Sequence, residues 1–458
     1  MPVIPQSIFR QYDVRGLVGE ELTPDMAHAL GAAYATLAAE RLGRPPRVAV
    51  GRDNRPSGAA LAAGLREGLV AAGAVAVDVD MVPTPALYLA VSVLEADGGI
   101  QVTGSHNPPE FNGFKLVLGE ESLHGEDIQA LYRLIADGRL VEREGGSEQT
   151  DGSILGAYRE AIMARNELTR PVRVVVDCGN GVASLVAVSI LRGVGAEVIP
   201  LFCESDGNFP NHHPDPTVPE NLVDLQEEVR RSGAELGIAL DGDGDRIGAV
   251  DETGTIRWGD QLMVVFGRDA VRRFGRGTPV IFDVKCSDIL PQELKRAGAE
   301  PVMWKTGHSL IKAKMKSTNA PLAGEMSGHI FFGGDYLGFD DALFAAARLL
   351  EIVSRGPGGL APLLADLPET FVTPEIRVAC ADDIKFGIVE RAARYFADRY
   401  QVNTIDGVRI EYDHGWGLLR ASNTQPVLVL RFEATNHDAL ESYRADVMSW
   451  LRQQGVEV

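Results

Sequence analysis

The sequence predicts three related α/β domains with mostly parallel mixed sheets and a smaller C-terminal α+β domain, arranged around a central cleft. Three observations support this fold class. The chain has 458 residues, which is too long for one hydrophobic core and suits several domains of about 100 to 200 residues each. One pattern of strand, polar loop, helix and glycine turn occurs three times along the chain. After the third copy, the pattern changes to closely spaced strands.

The repeated pattern is the first element of this prediction. Its copies begin with VAVGRDNRPSG, VVVDCGNGVAS and VIFDVKCSD, and their turns contain Gly73, Gly195 and Gly298. Strands that alternate with helices build mostly parallel sheets that are covered by helices. The turns recur at domain-sized intervals, which are too long for a solenoid repeat. Each copy is therefore expected to form one α/β domain.

The helix of the first copy has start and stop signals. Ser57 is expected to cap its N-terminus, and Gly73 is expected to close its C-terminus. Leu61, Leu65 and Leu69 recur at helical spacing and would share one buried face. This spacing predicts a helix that packs against the sheet.

The last part of the chain differs from the repeats. After Pro368 and Pro374, DGVRIEYDHGWGLLRASNTQPVLVLRFEA predicts strands joined by tight turns, and DALESYRADVMSWL predicts a helix. The prolines mark the expected hinge of this α+β domain. The expected domains are residues 1–150, 151–254, 255–366 and 367–458.

Charge and hydropathy limit the classes of partner. The formal net charge is -20, so nucleic acid and anionic membranes, which bind clustered Lys and Arg, are not expected as partners. A few cations in one cleft would still bind a small anion. No apolar run approaches the roughly 20 residues that span a bilayer, and the opening MPVIPQSIFRQYDVRG lacks the layout of a signal peptide. A cytoplasmic location is therefore expected.

The four cysteines lie far apart in the sequence and form no CxxC pair. They are Cys178, Cys203, Cys286 and Cys380. This spacing argues against a disulfide framework and against a thiolate metal site. All four are expected to be reduced, buried and without a chemical role.

The segment DGDGDR predicts a metal site. Asp241, Asp243 and Asp245 would alternate sides on a regular strand, so the backbone must turn for them to face one point, and the intervening glycines permit that turn. Three crowded carboxylates repel each other unless a cation neutralises them, and oxygen ligands suit Mg²⁺ or Ca²⁺. The alternatives are a solvated acidic turn and an EF-hand loop. The EF-hand is disfavoured because its sixth position, which requires glycine, holds Arg246.

The segment TGSHNPP places Ser105 in a loop that the Asn-Pro-Pro run stiffens. Gly104 lets a ligand approach the backbone. A Ser-His dipeptide alone is usually an ordinary polar loop. A serine hydrolase is disfavoured because no GxSxG elbow occurs and because the adjacent side chains of Ser105 and His106 are not expected to face each other.

Three further segments bear on the class of ligand. GNGVAS follows a strand but lacks the third glycine of a dinucleotide fingerprint, so nicotinamide binding is disfavoured. No GxxxxGK(S/T) occurs, so a P-loop kinase is not supported. RASNTQP, residues 420–426, combines one cation with small hydrogen-bonding side chains and suits a phosphate clamp, although a polar turn is the alternative.

The loops that follow later strands of the repeats differ in chemistry. The first carries Ser105, the second carries the three aspartates, and the third, APLAGEMSGH, carries Glu325, Ser327 and His329. Ligands of open α/β sheets gather at the carboxyl ends of strands. These loops are therefore expected to point at one cleft.

Together, eight segments resemble the α-D-phosphohexomutase family, and most closely its bacterial bifunctional phosphomannomutase/phosphoglucomutase branch. In chain order they are FRQYDVRG, VAVGRD, VPTP, TGSHNPPEFNGFK, DGDGDR, WKTGHS, GEMSGH and RASNTQP. Met326 matches the mannose/glucose-type enzymes, whereas the phosphoglucosamine mutases typically carry Gln there. Gln425 stands where the family commonly has Glu, which removes a negative charge beside the phosphate clamp.

The resemblance implies a role for each segment. Ser105 would carry the phosphoryl group, and one Mg²⁺ per chain would be held by that phosphate together with Asp241, Asp243 and Asp245. Arg15 and Lys115 would stabilise charge and move protons, and His329 would be a candidate general base. The substrate-binding residues would be Tyr12, Arg246, Lys285, His308, Glu325, Met326, Ser327, Gly328, His329, Arg420, Ala421, Ser422, Asn423 and Thr424.

The implied activity is a reversible transfer of phosphate between the 1 and 6 positions of mannose or glucose phosphate. It would proceed through a phosphoserine enzyme and a 1,6-bisphosphate, with glucose 1,6-bisphosphate as activator. Phosphoglucosamine mutase is the alternative among these enzymes. A sugar-phosphate-binding protein without turnover and a phosphatase are the alternatives outside them. The expected partners are small hexose phosphates, and the expected state is a monomer or weak dimer.

Overall fold

The computed structural model describes residues 4–423 and 425–458, and its strands form four sheets. Three sheets mix parallel and antiparallel pairs, and the fourth contains antiparallel pairs. This arrangement confirms the predicted fold class, whereas the four boundaries stay predictions. Among the described helices, none is both long and apolar enough to cross a membrane.

The first sheet reverses direction near its centre. Its strands are β1 Val14–Leu17, β2 Arg47–Arg52, β3 Val75–Met81, β4 Gly98–Val102, β5 Phe111–Leu118, β6 Glu121–Ser122 and β7 Ser147–Thr150. Its helices are α1 Pro24–Leu42, α2 Gly58–Ala71, α3 Thr84–Val93 and α4 Glu126–Ala136. The order is β1-β5-β4-β2-β3-β7, with β6 paired to β5. Strand β2 is parallel to β3 and β4, whereas β4 and β5 form an antiparallel hairpin.

The second and third sheets repeat this plan. The second contains α5 Ile154–Met163, β8 Arg173–Asp177, α6 Ala187–Gly193, β9 Glu197–Leu201, α7 Val223–Ser232, β10 Leu236–Leu240, β11 Ile247–Asp251 and β12 Ile256–Arg257. The third contains α8 Gly259–Phe274, β13 Pro279–Asp283, α9 Ile289–Ala297, β14 Glu300–Trp304, α10 His308–Thr318, β15 Leu322–Gly324, β16 Ile330–Phe332 and α11 Ala342–Arg355. Strand β8 is parallel to β9 and β10, and β13 is parallel to β14 and β15. Each sheet then adds an antiparallel hairpin, β10-β11 or β15-β16.

The fourth sheet is built differently. Its elements are β17 Phe371–Val372, β18 Ile376–Ala379, α12 Asp382–Ala397, β19 Gln401–Asn403, β20 Val408–Tyr412, β21 Gly415–Ala421, β22 Val427–Ala434 and α13 His437–Gln453. Short 3-10 helices lie at Gln6–Ile8, Val182–Leu185, Pro219–Leu222 and Ala361–Leu363. The order is β17-β22-β21-β20-β19, with β18 paired to β22. All of its described pairings are antiparallel.

Four hairpin turns hold the segments that the sequence singled out. The turn between β4 and β5 contains Ser105, and the turn between β10 and β11 contains DGDGDR. The turn between β15 and β16 contains EMSGH, and the turn between β21 and β22 contains the end of RASNTQP. The corresponding hairpin of each of the first three units therefore presents a different chemistry, and a hairpin of the differently built fourth unit adds a fourth.

Hydrophobic cores join the first three units more closely than they join the fourth. One core combines α3 with α5, α6, α8 and α11, so it crosses from the first unit to the third. The fourth unit has its own core. A small cluster of Val284, Trp416 and Leu418 packs the fourth unit against the third. The fourth unit therefore has a core of its own and a smaller apolar contact with the third.

Helix α2 forms as predicted but is not capped as predicted. Ser57 precedes it with φ of -73° and ψ of -18° and makes no side-chain capping bond. Its Oγ instead accepts a hydrogen bond from Nδ2 of Asn112 at 2.9 Å. The three leucines of the helix are buried, and Gly73 follows the helix with φ of +87°. The prediction of a Ser57 cap is therefore wrong because the serine has helical rather than extended dihedral angles.

Two of the cysteines also depart from the sequence prediction. Cys178 follows β8 and Cys203 follows β9, and these parallel strands are neighbours in the sheet. Their Sγ atoms consequently lie 2.8 Å apart, and Cys203 is only half-buried. Separation along the chain therefore says little about separation in space, although all four cysteines are free thiols.

Candidate functional site

The four hairpin turns meet at one cleft of about 1380 Å³. Its lining includes these predicted residues: Tyr12, Arg15, Ser105, Lys115, Arg246, Lys285, His308, Glu325, Met326, Ser327, His329, Arg420, Ser422 and Asn423. Gly328 and Ala421 are not among the described residues that line it. Thr424 lies outside the described residues. The structure thus brings together side chains from all four units.

Ser105 is held in an unusual backbone conformation at the floor of the cleft. Its φ is +50°, and its side chain is buried. A left-handed φ is uncommon outside glycine and is often found where a functional side chain must be aimed. Its Oγ donates a hydrogen bond to Oδ2 of Asp241 at 3.0 Å. The serine hydroxyl therefore lies directly against the acidic turn of the second unit.

The left-handed turn also brings two adjacent side chains together. Oγ of Ser105 lies 3.1 Å from Nδ1 of His106. The expectation that these side chains would not face each other is therefore wrong, because the backbone of Ser105 is neither extended nor helical. Burial and the neighbouring cations, Arg246 first among them, hold the pKa of His106 well below its usual value.

A buried arginine that the sequence analysis did not single out supports this turn. Arg55 is only 1% exposed, and its Nε bonds Oδ2 of Asp53 at 3.1 Å. The same Asp53 oxygen accepts from Thr103 Oγ1 at 2.8 Å. The guanidinium of Arg55 also donates to the backbone carbonyls of Ser105, Asn107, Pro108 and Phe111. The signal was present as charged residues directly after strand β2, in GRDNR.

The three aspartates lie beneath Ser105 and are fully buried. Oδ1 of Asp241 accepts hydrogen bonds from the backbone N–H groups of Gly244, Asp245 and Arg246 at 3.0 to 3.1 Å. Gly244 supplies the left-handed φ of +79° that closes this turn. Gly242 has a different role, since a Cβ there would lie 2.3 Å from the carbonyl oxygen of Ser105. The turn is therefore shaped to sit against the serine.

The free oxygens of this turn fit a divalent cation. Carboxylate oxygens of Asp241, Asp243 and Asp245 lie within 4.8 Å of one another. Oδ1 of Asp243 and Oδ1 of Asp245 are buried and have no hydrogen-bond partner in the described part of the chain. Buried carboxylate oxygens without partners are costly unless a cation binds them. An all-oxygen set of this kind suits Mg²⁺.

Lys115 binds the opposite oxygens of the same carboxylates. Its Nζ lies 2.7 Å from Oδ2 of Asp243 and also bonds Oδ2 of Asp245. Burial lowers the pKa of Lys115. The attraction of Asp243 and Asp245 for its positive charge outweighs this effect and holds the pKa well above the usual value. Lys115 therefore neutralises part of the negative charge of the turn and leaves Oδ1 of Asp243 and Oδ1 of Asp245 without a partner among the described residues.

The carboxylates themselves remain electrostatically strained. Burial and repulsion from Asp243 and Asp245 raise the pKa of Asp241 well above its usual value. Burial and repulsion from Asp243 also raise the pKa of Asp245. Asp243 behaves oppositely, since Lys115 outweighs burial and lowers its pKa. A bound cation would relieve the repulsion that raises the first two.

His329 lies between Arg246 on one side and the carboxylates of Asp340 and Asp245 on the other. Its Nε2 accepts a hydrogen bond from Nε of Arg246 at 2.9 Å. Its Nδ1 lies 3.1 Å from Oδ2 of Asp340 and 3.6 Å from Oδ1 of Asp245. The ring stacks on His308 with centroids 5.8 Å apart. Both ring nitrogens therefore face protein groups, and Arg246 must move before Nε2 can accept a proton from a ligand.

The EMSGH turn presents polar groups to the cleft in a fixed arrangement. Oε1 of Glu325 accepts from the backbone N–H of Gly307 at 2.7 Å, and Oε2 accepts from Oγ of Ser327 at 3.0 Å. Gly328 has φ of +90°, and a Cβ there would lie 2.3 Å from the carbonyl oxygen of Ile247. Gly328 therefore packs the turn against β11, away from the cleft.

Tyr12 joins three units across the cleft. Its hydroxyl donates to the carbonyl oxygen of Thr306 at 3.0 Å and accepts from Nδ2 of Asn423 at 2.9 Å. Asn423 lies in the turn of the fourth unit. In the strand before this turn, Nε of Arg420 bonds Oδ2 of Asp406 at 3.1 Å. Ala421 is buried in β21 and pairs with Leu428. The contacts of Tyr12 therefore link the fourth unit to the first and third units at the cleft.

Basic side chains line the cleft although the chain as a whole is strongly acidic. Arg15 bonds Oδ1 of Asn107 at 2.9 Å and Oδ2 of Asp13 at 2.6 Å, which fixes it beside the serine turn. Lys285 lies 3.5 Å from Oε2 of Glu375. The remaining basic residues of the lining are Arg10, Lys115, Arg246, Arg257, Arg377, Arg420 and Arg431. Such a cleft is suited to a small anionic ligand.

The chain matches four protein families in order along its length. Three are described as phosphoglucomutase/phosphomannomutase alpha/beta/alpha domains, with domain I at residues 6–141, domain II at 156–254 and domain III at 258–371. The fourth is described as the phosphoglucomutase/phosphomannomutase C-terminal domain, at residues 375–449.

Individual proteins are similar over nearly the whole chain. A phosphomannomutase/phosphoglucomutase of Pseudomonas aeruginosa is 50% identical over 442 residues, which cover 96% of this chain and 94% of the relative. A phosphoglucomutase of Neisseria gonorrhoeae is 45% identical over 445 residues, which cover 96% of each chain. A solved phosphoglucomutase/phosphomannomutase family protein of Burkholderia thailandensis has a TM-score of 0.91, 43% identity and 98% coverage of each chain.

Proposed function

The chain belongs to the phosphoglucomutase/phosphomannomutase family, and on this premise we propose that it interconverts the 1- and 6-phosphates of glucose and mannose. The observation that carries the proposal is the contact of 3.0 Å between Oγ of Ser105 and Oδ2 of Asp241. A hydroxyl against a carboxylate turn with open oxygens suits a phosphoserine that shares a cation with that turn.

Ser105 would carry the phosphoryl group and donate it to the free hydroxyl of a hexose monophosphate. The resulting 1,6-bisphosphate would turn round and return its other phosphate to Ser105. Arg420, Ser422 and Asn423 would hold the phosphate that is not transferred, and the turn of Glu325 and Ser327 would hold the sugar hydroxyls. Support comes from the position of all these side chains on one cleft.

The metal expected from the sequence fits the residues that are present. Asp241, Asp243 and Asp245 would hold Mg²⁺ together with the phosphate on Ser105, because their carboxylates are buried and close together and because Oδ1 of Asp243 and Oδ1 of Asp245 have no hydrogen-bond partner in the described part of the chain. When bound, Mg²⁺ would neutralise negative charge on the phosphoryl oxygens.

Three side chains are proposed to stabilise charge or carry protons. Lys115 and Arg15 flank the serine turn and would balance the negative charge of the transition state. His329 stays the candidate general base, on the condition that a bound ligand draws Arg246 away from Nε2. The phosphate oxygens of a ligand would attract the guanidinium of Arg246.

The bisphosphate must turn without leaving the cleft, and the fourth unit would supply the closure. The hydrogen bond from Asn423 to Tyr12 spans the cleft mouth, and the fourth unit has its own core. The prolines before β18, Pro368 and Pro374, remain the proposed hinge. Closure that excludes water would also prevent loss of phosphate to hydrolysis.

The test is covalent labelling of Ser105. The full chain is dephosphorylated, incubated with glucose 1,6-bisphosphate and Mg²⁺, and analysed by intact mass and peptide mapping. A gain of about 80 Da on the peptide that contains Ser105 is expected, because one phosphoryl group is transferred. Ser105→Ala should show no gain. An unmodified Ser105, or phosphate on another residue, would contradict the proposal.

A coupled assay then defines the substrate. Glucose 1-phosphate and mannose 1-phosphate are expected to turn over, and glucosamine 1-phosphate is expected to be poor. The names of the similar proteins and the presence of Met326 disfavour the phosphoglucosamine alternative. Steady release of inorganic phosphate would indicate a phosphatase instead. The activator, the monomer or weak dimer and the cytoplasmic location stay predictions.

A further inference from the structure

Two thiols lie in contact behind the catalytic cleft, in the second unit. Cys178 follows β8 and Cys203 lies just beyond β9, and their Sγ atoms are 2.8 Å apart. Neither residue lines the cleft in the described part of the chain. The proposed mutase reaction uses neither thiol.

We propose that Cys178 and Cys203 are a peroxide-sensitive site that forms a reversible intramolecular disulfide. The proposal rests on the contact between two free thiols, on the unequal exposure of the two sulfurs and on the backbone bonds that hold them in register. It goes beyond the sugar-phosphate chemistry and does not depend on it.

Backbone hydrogen bonds hold the two cysteines side by side. The N–H of Cys178 donates to the carbonyl oxygen of Leu201 at 3.1 Å, and the N–H of Asn180 donates to that of Phe202 at 2.9 Å. Nδ2 of Asn180 also donates to the carbonyl oxygen of Glu204 at 2.8 Å. A disulfide has an S–S distance of about 2.05 Å. The two sulfurs, 2.8 Å apart, must therefore approach by about 0.8 Å to form the bond.

The two thiols are suited to different steps. Cys203 is half-buried, whereas Cys178 is fully buried. The hydrogen bond from Cys178 lowers the pKa of Cys203, and the same bond together with burial raises the pKa of Cys178. The thiolate is the reactive form of cysteine. Cys203 is therefore the residue that attacks the oxidant, and Cys178 is the residue that resolves the product.

The chemistry balances with a hydroperoxide as oxidant. The Cys203 thiolate attacks one peroxide oxygen, the O–O bond breaks, and the Cys203 sulfenic acid and one hydroxide ion form. The Cys178 thiol then attacks the sulfenic sulfur, the S–O bond breaks, and the disulfide and water form. The oxygen that leaves the sulfenic sulfur takes up the proton of the Cys178 thiol and departs as water, and the hydroxide of the first step is neutralised by the proton that Cys203 released on ionising. The two sulfurs lose two electrons in total, and the peroxide gains them.

The bond would form beside the metal turn but outside it. The segment that follows Cys178 contacts the metal turn directly, because the N–H of Val182 donates to the carbonyl oxygen of Gly242 at 3.0 Å. Gly181 lies so close that a Cβ there would be 2.8 Å from the same oxygen. A disulfide at Cys178 would therefore fix the support of the metal turn rather than block the cleft.

The test measures mass and free thiols of the full chain. The reduced protein is treated with hydrogen peroxide, quenched, denatured and labelled with a maleimide. Before labelling, wild type is expected to be about 2 Da lighter than the reduced protein. After labelling, two of its four cysteines should carry the maleimide. A cross-linked peptide pair that contains Cys178 and Cys203 should appear, and dithiothreitol should restore all four thiols.

Single variants separate this pair from the other cysteines. Cys203→Ser should retain its three thiols under the same treatment, because the three remaining cysteines are all buried. Cys178→Ser should gain about 16 or 32 Da at Cys203, because the sulfenic acid has no resolving thiol. Cys380→Ser, in the fourth unit, should still lose about 2 Da. Circular dichroism of each reduced variant checks that it folds.

Several outcomes would overturn the proposal. They are retention of four thiols in wild type, stable sulfinic acid at Cys203 while Cys178 is present, and a disulfide that involves Cys286 or Cys380. A disulfide between two chains, seen as a dimer on non-reducing gels, would also overturn it.

Discussion

Ser105 and Asp241 are in hydrogen-bond contact at 3.0 Å although 136 positions separate them in the chain. The contact joins the hairpin turn of the first sheet to the corresponding turn of the second. It brings the hydroxyl proposed to accept phosphate to the carboxylates proposed to hold Mg²⁺.

Asp241→Asn should weaken Mg²⁺ binding at least tenfold and lower turnover roughly 100-fold, because it removes one ligand charge from the cation that stabilises the phosphoryl group. The substituted side chain can still accept the backbone bonds that Oδ1 of Asp241 accepts. The fold should therefore survive. Isothermal titration with MgCl₂ and the coupled assay measure the two effects. Asp137→Asn, on the surface, is the control, and equal Mg²⁺ affinity in both variants would exclude a metal role for Asp241.

Arg55→Lys should lower kcat roughly 10- to 100-fold with a smaller effect on KM. Arg55 does not line the cleft but fixes four carbonyl oxygens around the serine turn. A lysine cannot reproduce the planar fork of five donors. Arg52→Lys is the matched control, since Arg52 pairs with the exposed Asp80. Steady-state kinetics of both variants test the prediction, and unchanged kcat in Arg55→Lys would refute it.

Tyr12→Phe should increase escape of the bisphosphate intermediate by about two- to tenfold, because one or two hydrogen bonds of roughly 1 kcal/mol each are lost at the cleft mouth. The affected bonds are those to Thr306 and Asn423. Quenched-flow analysis of glucose 1,6-bisphosphate released per turnover measures this. Tyr132→Phe, on helix α4, is the control. Equal escape in wild type and Tyr12→Phe would show that this contact does not retain the intermediate.

The free energy of unfolding should fall as the pH rises, because the buried carboxyl of Asp341 resists ionisation. Burial raises the pKa of Asp341 to about 7. The folded state then holds a proton that the unfolded state has lost, so this group destabilises the fold progressively from its unfolded pKa of about 3.9 up to pH 7. The slope approaches about 1.4 kcal/mol per pH unit at most.

Asp341→Asn removes this titration and can keep the contacts with Tyr158, Tyr336 and the N–H of Phe344. Its thermal midpoint, compared with that of wild type, should rise between pH 5 and pH 8. Differential scanning calorimetry at pH 5, 6, 7 and 8 measures the difference. A constant difference over this range would show that Asp341 is ionised throughout.

Much of the fold could be predicted because its causes are local. Leu61, Leu65 and Leu69 recur at helical spacing, and they are buried on α2 as expected. Strands that alternate with helices indicated mixed α/β sheets, and three such sheets are present. The Ser57 cap failed because the same residue type can occupy either extended or helical dihedral angles, and neighbours such as Asn112 decide which.

The site could be predicted only in part. Ser105, the acidic turn and the basic turn were found because each concentrates one kind of chemistry in a short segment. Arg55, Asp340 and Thr84 were missed. Arg55 acts on backbone carbonyls, Asp340 reaches His329, and Oγ1 of Thr84 bonds Asp243 at 2.6 Å. Arg55 and Thr84 lie in GRDNR and VPTP, which the sequence analysis quoted, but nothing local shows which distant groups they contact.

The sequence by itself determined the identity of the reactive groups: one serine, three carboxylates separated by glycines, and a few cations in an acidic chain. Only the tertiary structure decided that they meet, that Ser105 and His106 face each other, and that Cys178 contacts Cys203. The reason is physical. Side-chain chemistry belongs to each residue, whereas distance across a fold depends on which strands become neighbours and on the dihedral angles of the turns between them.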